Sequence, residues 1–411
     1  MKSCLNFAPL AALVFVFCFS LHAAGQGPTV DLDDVSLYAG CTLTFGSFTS
    51  VQGGTTVVTG SVFGSLDVDS IFAGGSLESN GFDSTRGEVF FNGDIMGFGG
   101  PGSIIDGPVT SAAGSIEIGS STTVNGDVTA GGDVVQDFSF GTINGDVLAG
   151  GNVEIDGTVN GNVTHGGLLT LGTFATVTGN TSSRAPVRFD QFEAPALNPS
   201  SALQGGTNDI NLETFEDITL SPGTYGSLNF ASSNTVSLTA GTYIFDAIVS
   251  DFSLNELALD TSGGEIFIYI DDSDVSLNLI QSINGVRLFA GGAPDVLESN
   301  NVTLEVAGSL NLESDFFGTL LVPDGSLSLG GDLTGRAFVG LDVDLSADIV
   351  TVNFQLGDAD QNDEVNFFDI TAFISILQAG DFLEEADLNR DGVCDFFDIS
   401  PFVNALSSSS Q

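Results

Sequence analysis

The stretch ADLNRDGVCDFFDIS, residues 386–400, sets Asp387, Asn389 and Asp391 on alternate positions and follows them with Asp395 and Asp398. Carboxylates this close repel unless a cation sits among them. Counted from Asp387, side-chain oxygens fall at positions 1, 3, 5, 9 and 12; Gly392 at position 6 permits a sharp turn, and Val393 at position 7 offers its backbone carbonyl. Calcium takes roughly six to eight oxygens, and a chain coiling around one centre delivers them at this spacing. The pattern recurs in DADQNDEVNFFD, residues 358–369, as Asp358, Asp360, Asn362, the Glu364 carbonyl, Asn366 and Asp369. The two copies start 29 residues apart. A solvated acidic turn explains one such loop more readily than two with matched flanks.

Each loop leads into an apolar segment with helical spacing, FFDITAFISIL (367–377) and FFDISPFVNAL (396–406). Two helices are expected, with faces of Ile370, Phe373, Ile374 and Leu377, and of Ile399, Phe402, Val403 and Leu406. Pro401 is compatible with the first turn of the second. Two half-sites of this kind with Asp at position 12 closely resemble the dockerin type I module, a tandem of EF-hand-type loops. The resemblance implies two Ca2+ ions and a cohesin-like or other protein partner. This chain departs from it at Asp363, where position 6 is usually Gly, and at Phe367-Phe368 and Phe396-Phe397, where cellulosomal modules carry small polar residues. The segment 356–406 holds twelve acids against Arg390 alone, and its apolar faces make a small core. Folding is therefore expected to require calcium.

The whole chain is acidic: 411 residues, 53 Asp plus Glu, 7 Lys plus Arg, and a formal charge of −46. Lys2 is the one lysine. Such a chain cannot neutralise phosphates, which excludes nucleic acid and anionic membranes as partners. Its 42% hydrophobic content, including 34 Phe, excludes a disordered acidic tail. Residues 1–25 read as an export signal, with one basic residue, an apolar run from about Leu10 to Leu21 and the small residues Ala23-Ala24-Gly25. No later run is long enough to span a bilayer. A secreted, extracellular or cell-surface location is expected. Cys41 and Cys394 remain after cleavage, as two buried thiols or as a pair.

The body repeats itself. VNGDVTAGGDV (124–134), INGDVLAGGNV (143–153) and VNGNVTHGGLL (159–169) align on Gly126, Gly145 and Gly161, with weaker echoes at Gly93, Gly107 and Gly179. Steps of about 17 residues, with apolar and polar residues alternating between glycine corners, predict one coil of a solenoid per repeat. The corner glycines are expected to supply positive φ. LSPGTYGSLNF (220–230) is echoed 18 residues later by LTAGTYIFDAI (238–248), which aligns Tyr225 with Tyr243. The plan is a mainly β chain: an N-terminal Gly-rich solenoid over 26–181, a linker or crossover over 182–212, a second solenoid segment over 213–355, the small α-helical module over 356–406 and a polar tail over 407–411. The coils are similar to bactofilin-like and other polymer-forming bacterial solenoids. The second segment resembles secreted adhesin and pilus-associated domains that share its pattern with ice-binding-like adhesins. These resemblances imply a right-handed parallel β-helix with structural or adhesive use. Polysaccharide binding or self-association follows as an expectation.

Parallel β-helices also host polysaccharide-degrading enzymes, so a dockerin-bearing glycoside hydrolase is the alternative. Asp271, Asp272 and Asp274, and Glu213, Glu216 and Asp217, are its candidate carboxylates. His165 stands where sister coils carry Ala130 and Ala149, beside a glycine corner, and reads as a surface turn. No nucleophile elbow, phosphate loop or zinc spacing is present, so no catalytic residue is assigned.

Overall fold

Alternating triplets such as Val128–Ala130 and Val153–Ile155 form short strands whose first and third side chains are buried and whose middle one faces out. The computed structural model of the chain describes residues 28–30, 32–79, 81–136, 140–185, 189–197, 203–250, 254–284, 286–287 and 301–351, and toward the C-terminus 359, 369–379, 386, 388, 396–399 and 401–403. Three strands make a coil, for example Ile116–Ile118, Thr123–Val124 and Val128–Ala130. Each pairs in parallel with its counterpart one coil along, so Val109, Val128, Val147 and Val163 form one column and Val124, Ile143 and Val159 another. These residues are buried in a single apolar core that runs the length of a parallel β-solenoid of about 15 coils. Among the described residues one antiparallel pairing, Ile280–Ile283 with Val286–Arg287, interrupts the pattern.

The coils do not stack in chain order. Val35–Ala39 pairs with Val51–Val58 on one side and with Leu333–Val339 on the other. Leu43–Phe45 likewise pairs with Val62–Phe63 and with Val343–Leu345. The chain therefore enters mid-stack, winds outward to Thr181–Ser183, crosses back, and refills the other half from Ile210 to Val350. The two segments expected from sequence are one stack in space. Asp342 accepts hydrogen bonds from the Thr42 N–H and hydroxyl, and Asp348 accepts from those of Ser50.

Within the crossover, the described residues 189–197 pack against the stack. Phe338, Tyr38, Val57, Phe72 and Phe90 form an outward apolar column, and Phe192 lies buried against it, its ring centroid 5.6 Å from that of Phe72. The Tyr38 hydroxyl donates to the Pro195 carbonyl at 2.6 Å. The Asn92 side chain donates to the Phe192 carbonyl and accepts from its N–H, both at 2.7 Å.

Two readings of the repeats change. Gly126, Gly145 and Gly161 are not among the positive-φ residues. A Cβ on Gly145 would meet the Gly126 carbonyl, and one on Gly161 the Gly145 carbonyl, so close approach of stacked backbones is what requires glycine there. The 18-residue echo also misplaces a register: Gly223 pairs with Tyr243 and Tyr225 with Phe245. The preceding strands do pair at 18, Leu220 with Leu238, so the second coil carries two extra residues in its corner. The free thiol Cys41 is exposed rather than buried, and Cys394 lies outside the described residues.

Replacing Gly145 with Ala is expected to lower the unfolding free energy by about 1–3 kcal/mol, because backbone blocks relaxation. Phe192→Ala is expected to cost about 3–5 kcal/mol and to speed proteolysis within 184–197. Urea melts and timed digestion check both.

Candidate functional site

Of the twelve proposed calcium-loop residues, Asp369 and Asp398 lie within the described residues; Asp358, Asp360, Asn362, Glu364, Asn366, Asp387, Asn389, Asp391, Val393 and Asp395 lie outside them. Asp369 opens the helix Asp369–Ala379, where the helix dipole favours a carboxylate, and Asp398 closes the 3-10 turn Phe396–Asp398. Both are fully buried. They occupy position 12 of their loops and stand 29 residues apart, as do Phe373 and Phe402 and as do Ala359 and Leu388. Phe373 and Phe402 stack face to face, centroids 4.0 Å apart and planes 8° from parallel, in a small core with Ala359 and Ala386. The two sequence repeats thus meet through equivalent residues. The expected helix faces are only partly internal: Ile370, Ile374, Ile399 and Val403 are exposed. Among the described residues each half buries one aromatic, Phe373 or Phe402, and leaves neighbouring apolar residues facing water. Among the described residues no group of three or more His, Cys, Asp or Glu is placed to hold a metal ion.

Three of the six carboxylates proposed for glycan hydrolysis accept from backbone N–H groups at 3.1 Å or less. Asp271 accepts from the Gly205 N–H at 3.0 Å, Asp217 from the Thr235 N–H at 3.1 Å, and Glu216 from the Glu213 N–H at 2.8 Å. His165 is not in the expected surface turn: it ends the strand Val163–His165, half-buried and paired with Ala149 and Ser183, and donates through Nδ1 to the Gly167 carbonyl at 2.8 Å. An apolar cavity of about 20 Å³ lies inside the second segment between Ile248, Leu257, Ile268 and Leu304, the size of a water rather than a sugar.

Several acids of the coils act as corner caps. Along one corner the chain of acceptors runs from Asp94 to the Ser115 N–H, from Asp133 to the Asn152 N–H and from Asn152 to the Leu168 N–H. Along another, Asp127 accepts from the Asp146 N–H and Asp146 from the Asn162 N–H, both at 2.7 Å. The Asn162 donors hold the Asp146 carboxyl below the usual range. Asp83 differs because it is buried. It accepts from the Leu66 and Gly99 N–H groups, each at 2.6 Å, and from the Ser79 hydroxyl. Burial outweighs these bonds and pushes its carboxyl up.

One feature of the surface had no sequence signal. The corner leading into the second strand of each coil uses a left-handed residue in several coils: Gly102 (φ 94°), Ser121 (φ 59°), Phe140 (φ 85°), and in the other half Phe215 (φ 65°) and Ser233 (φ 58°). Phe48 (φ 63°) belongs to the same column. A left-handed bulky residue costs about 1–2 kcal/mol, which Gly or Asn would avoid.

No family model matches the chain, and no curated protein matches it. Among solved structures it is similar to an ice-binding protein from an Antarctic bacterium, Flavobacteriaceae, at 13% identity and a TM-score of 0.20 over 78% of this chain and 96% of that one. It is also similar to a possible adhesin C-terminal domain from Caldicellulosiruptor kronotskyensis, at 9% identity and a TM-score of 0.22 over 79% of this chain and 94% of that one. Neither likeness is close enough to carry a function across. The fold itself defines the class: a mainly β parallel solenoid with a short helical C-terminal stretch.

The Asp83 carboxyl gives a pH prediction. Its folded pKa is raised, so its contribution to stability is full below the unfolded carboxyl range and is lost as pH rises through the folded value. Asp83→Asn removes that titration and sets an amide N–H2 against one of two N–H donors. The variant is expected to be less stable by about 1–3 kcal/mol in acid, with the gap narrowing toward neutral pH. Urea unfolding of both proteins across that range measures it.

Proposed function

We propose that this chain is a secreted, non-catalytic β-solenoid, a surface, matrix or adhesin-type protein held on a partner through a calcium-dependent, dockerin-like module at residues 356–406. The observation that carries this reading is the paired burial of Asp369 and Asp398 over the stacked Phe373 and Phe402. A carboxylate duplicated at position 12 of two oxygen-rich loops suits a bound cation, and two Ca2+ ions, one per loop, are assigned on this reading. The exposed apolar residues Ile370, Ile374, Ile399 and Val403 repeat at the same 29-residue interval, which suits a docking face for a cohesin-like protein partner.

The capping duties of Asp217, Glu216 and Asp271 favour this reading over glycoside hydrolysis, which needs two carboxylates facing each other across a substrate-sized cleft. With a charge of −46 and an export-type leader, the chain suits an extracellular setting better than a nucleic-acid or anionic-membrane one.

Calorimetry of the full chain is expected to give two calcium sites, the one containing Gly392 the tighter. Limited proteolysis is expected to remove residues beyond about 356 in EDTA and to spare them in calcium. Asp398→Asn should weaken the second site by about 10- to 100-fold or more. No calcium heat, with identical digestion patterns, refutes the module; saccharide release from a neutral or acidic polysaccharide panel refutes the non-catalytic reading.

A further inference from the structure

The left-handed corner described above is one register column. The pairings of Val51 with Val68, Asp67 with Ser84, Ile104 with Ser84, Ile104 with Thr123, Thr123 with Thr142, Thr142 with Thr158, and Thr158 with Thr176 carry it through successive coils as Phe48, Ser65, Phe82, Gly102, Ser121, Phe140, Asp156 and Phe174. The four Phe are 102%, 67%, 83% and 67% exposed. Phenyl rings so exposed do not stabilise the monomer, and at Phe48 and Phe140 the backbone is also left-handed. Ser65, Gly102 and Ser121 show that small residues satisfy the same corner. A strained backbone bearing an exposed aromatic points to a surface kept for binding.

Coils repeat every ~4.8 Å along the stack, so Phe48 and Phe82 are two coils, about 10 Å, apart, as are Phe140 and Phe174. Two hexopyranose rings of an extended chain span such a step. Two residues past this column, Thr123, Thr142, Thr158 and Thr176 form an outward row with one hydroxyl per coil. Aromatic rings receive the apolar C–H face of a sugar while a flanking row of hydroxyls meets its equatorial OH groups. The charge of −46 turns away anionic polymers and leaves neutral ones.

We infer that the corner ridge Phe48–Phe82–Phe140–Phe174, with its threonine row, is a docking surface for an extended, neutral, β-linked polysaccharide chain. The inference rests on the adhesin reading above and names its ligand class. Since the ridge lies on the solenoid, its binding is independent of calcium, and its failure leaves the calcium test untouched.

The test is adsorption of the full chain to microcrystalline cellulose, in calcium and in EDTA, with polygalacturonate as the anionic comparison. Wild type is expected to be retained by cellulose in both buffers and not by polygalacturonate. The quadruple variant Phe48→Ser, Phe82→Ser, Phe140→Ser and Phe174→Ser, built from residues the same corner already accepts, is expected to lose retention at least about tenfold with an unchanged circular dichroism melt. Should the quadruple variant not fold, the pair Phe140→Ser/Phe174→Ser is expected to lose part of the retention, while Phe140→Tyr/Phe174→Tyr keeps it. Failure of wild type to bind, or equal binding by the Ser variants, overturns the inference. So does sedimentation showing a wild-type oligomer that the Ser variants dissolve without any glycan retention, which would make the ridge a contact between copies.

Discussion

Every coil of this protein depends on the coil beside it. A strand of two or three residues has no partner within its own turn, so its backbone hydrogen bonds come from neighbouring coils, in the regular N-terminal coils often sixteen to twenty-one residues away. Two consequences follow directly. Where coil backbones come closest, no Cβ fits, which fixes the glycine column at Gly126, Gly145 and Gly161. Where a corner leaves an N–H without a ladder partner, a side chain of the adjoining coil must accept it, which places Asp94, Asp127, Asp133 and Asp146 at the corners.

The same demand explains how a chain that starts in the middle of its own stack can close. The coil at Val35–Val58 meets the coil at Leu333–Val350 as it meets any other neighbour, with register-matched pairs such as Leu43 with Val343 and with Asp342 and Asp348 capping Thr42 and Ser50. The crossover then has a second duty. Its Phe192 covers the outward aromatic column that the middle coils present, in one apolar cluster against which Phe338 of the other half also packs.

An excess of negative charge is compatible with such a fold because the acids are distributed along the stack and hydrogen-bonded there. Asp146 is stabilised as the anion by its neighbour's N–H, whereas Asp83, drawn into the interior, is driven toward the neutral form. The C-terminal acids are different in kind: they are concentrated, and they repeat with the register of the Phe373 and Phe402 pair. The chain thus carries two styles of acidic patterning, spread corner caps along the stack and a concentrated, duplicated set at the C-terminus.

Much of this was legible in the sequence. The alternation in VNGDVTAGGDV specified strands with one buried face, and the spacing of its glycines specified coils, because both signals are local and repeat with the structure. The oxygen spacing from Asp387 to Asp398 and its copy is a local, repeated signal of the same kind, but ten of its twelve positions lie outside the described residues. The tertiary structure alone decided which coil meets which: pairing Leu43 with Val343 joins residues 300 apart, and any two coils of matching register offer the same edges, so no local pattern selects that contact. It alone showed that Gly145 is required by a neighbouring carbonyl rather than by φ, since the clash lies in another coil. It also converted the segment around Phe192 from a linker into a packed strap, and it turned Phe48, Phe82, Phe140 and Phe174, scattered at uneven intervals along the chain, into one exposed column. Their alignment depends on the accumulated lengths of the corners between them, which only the stacked coils add up.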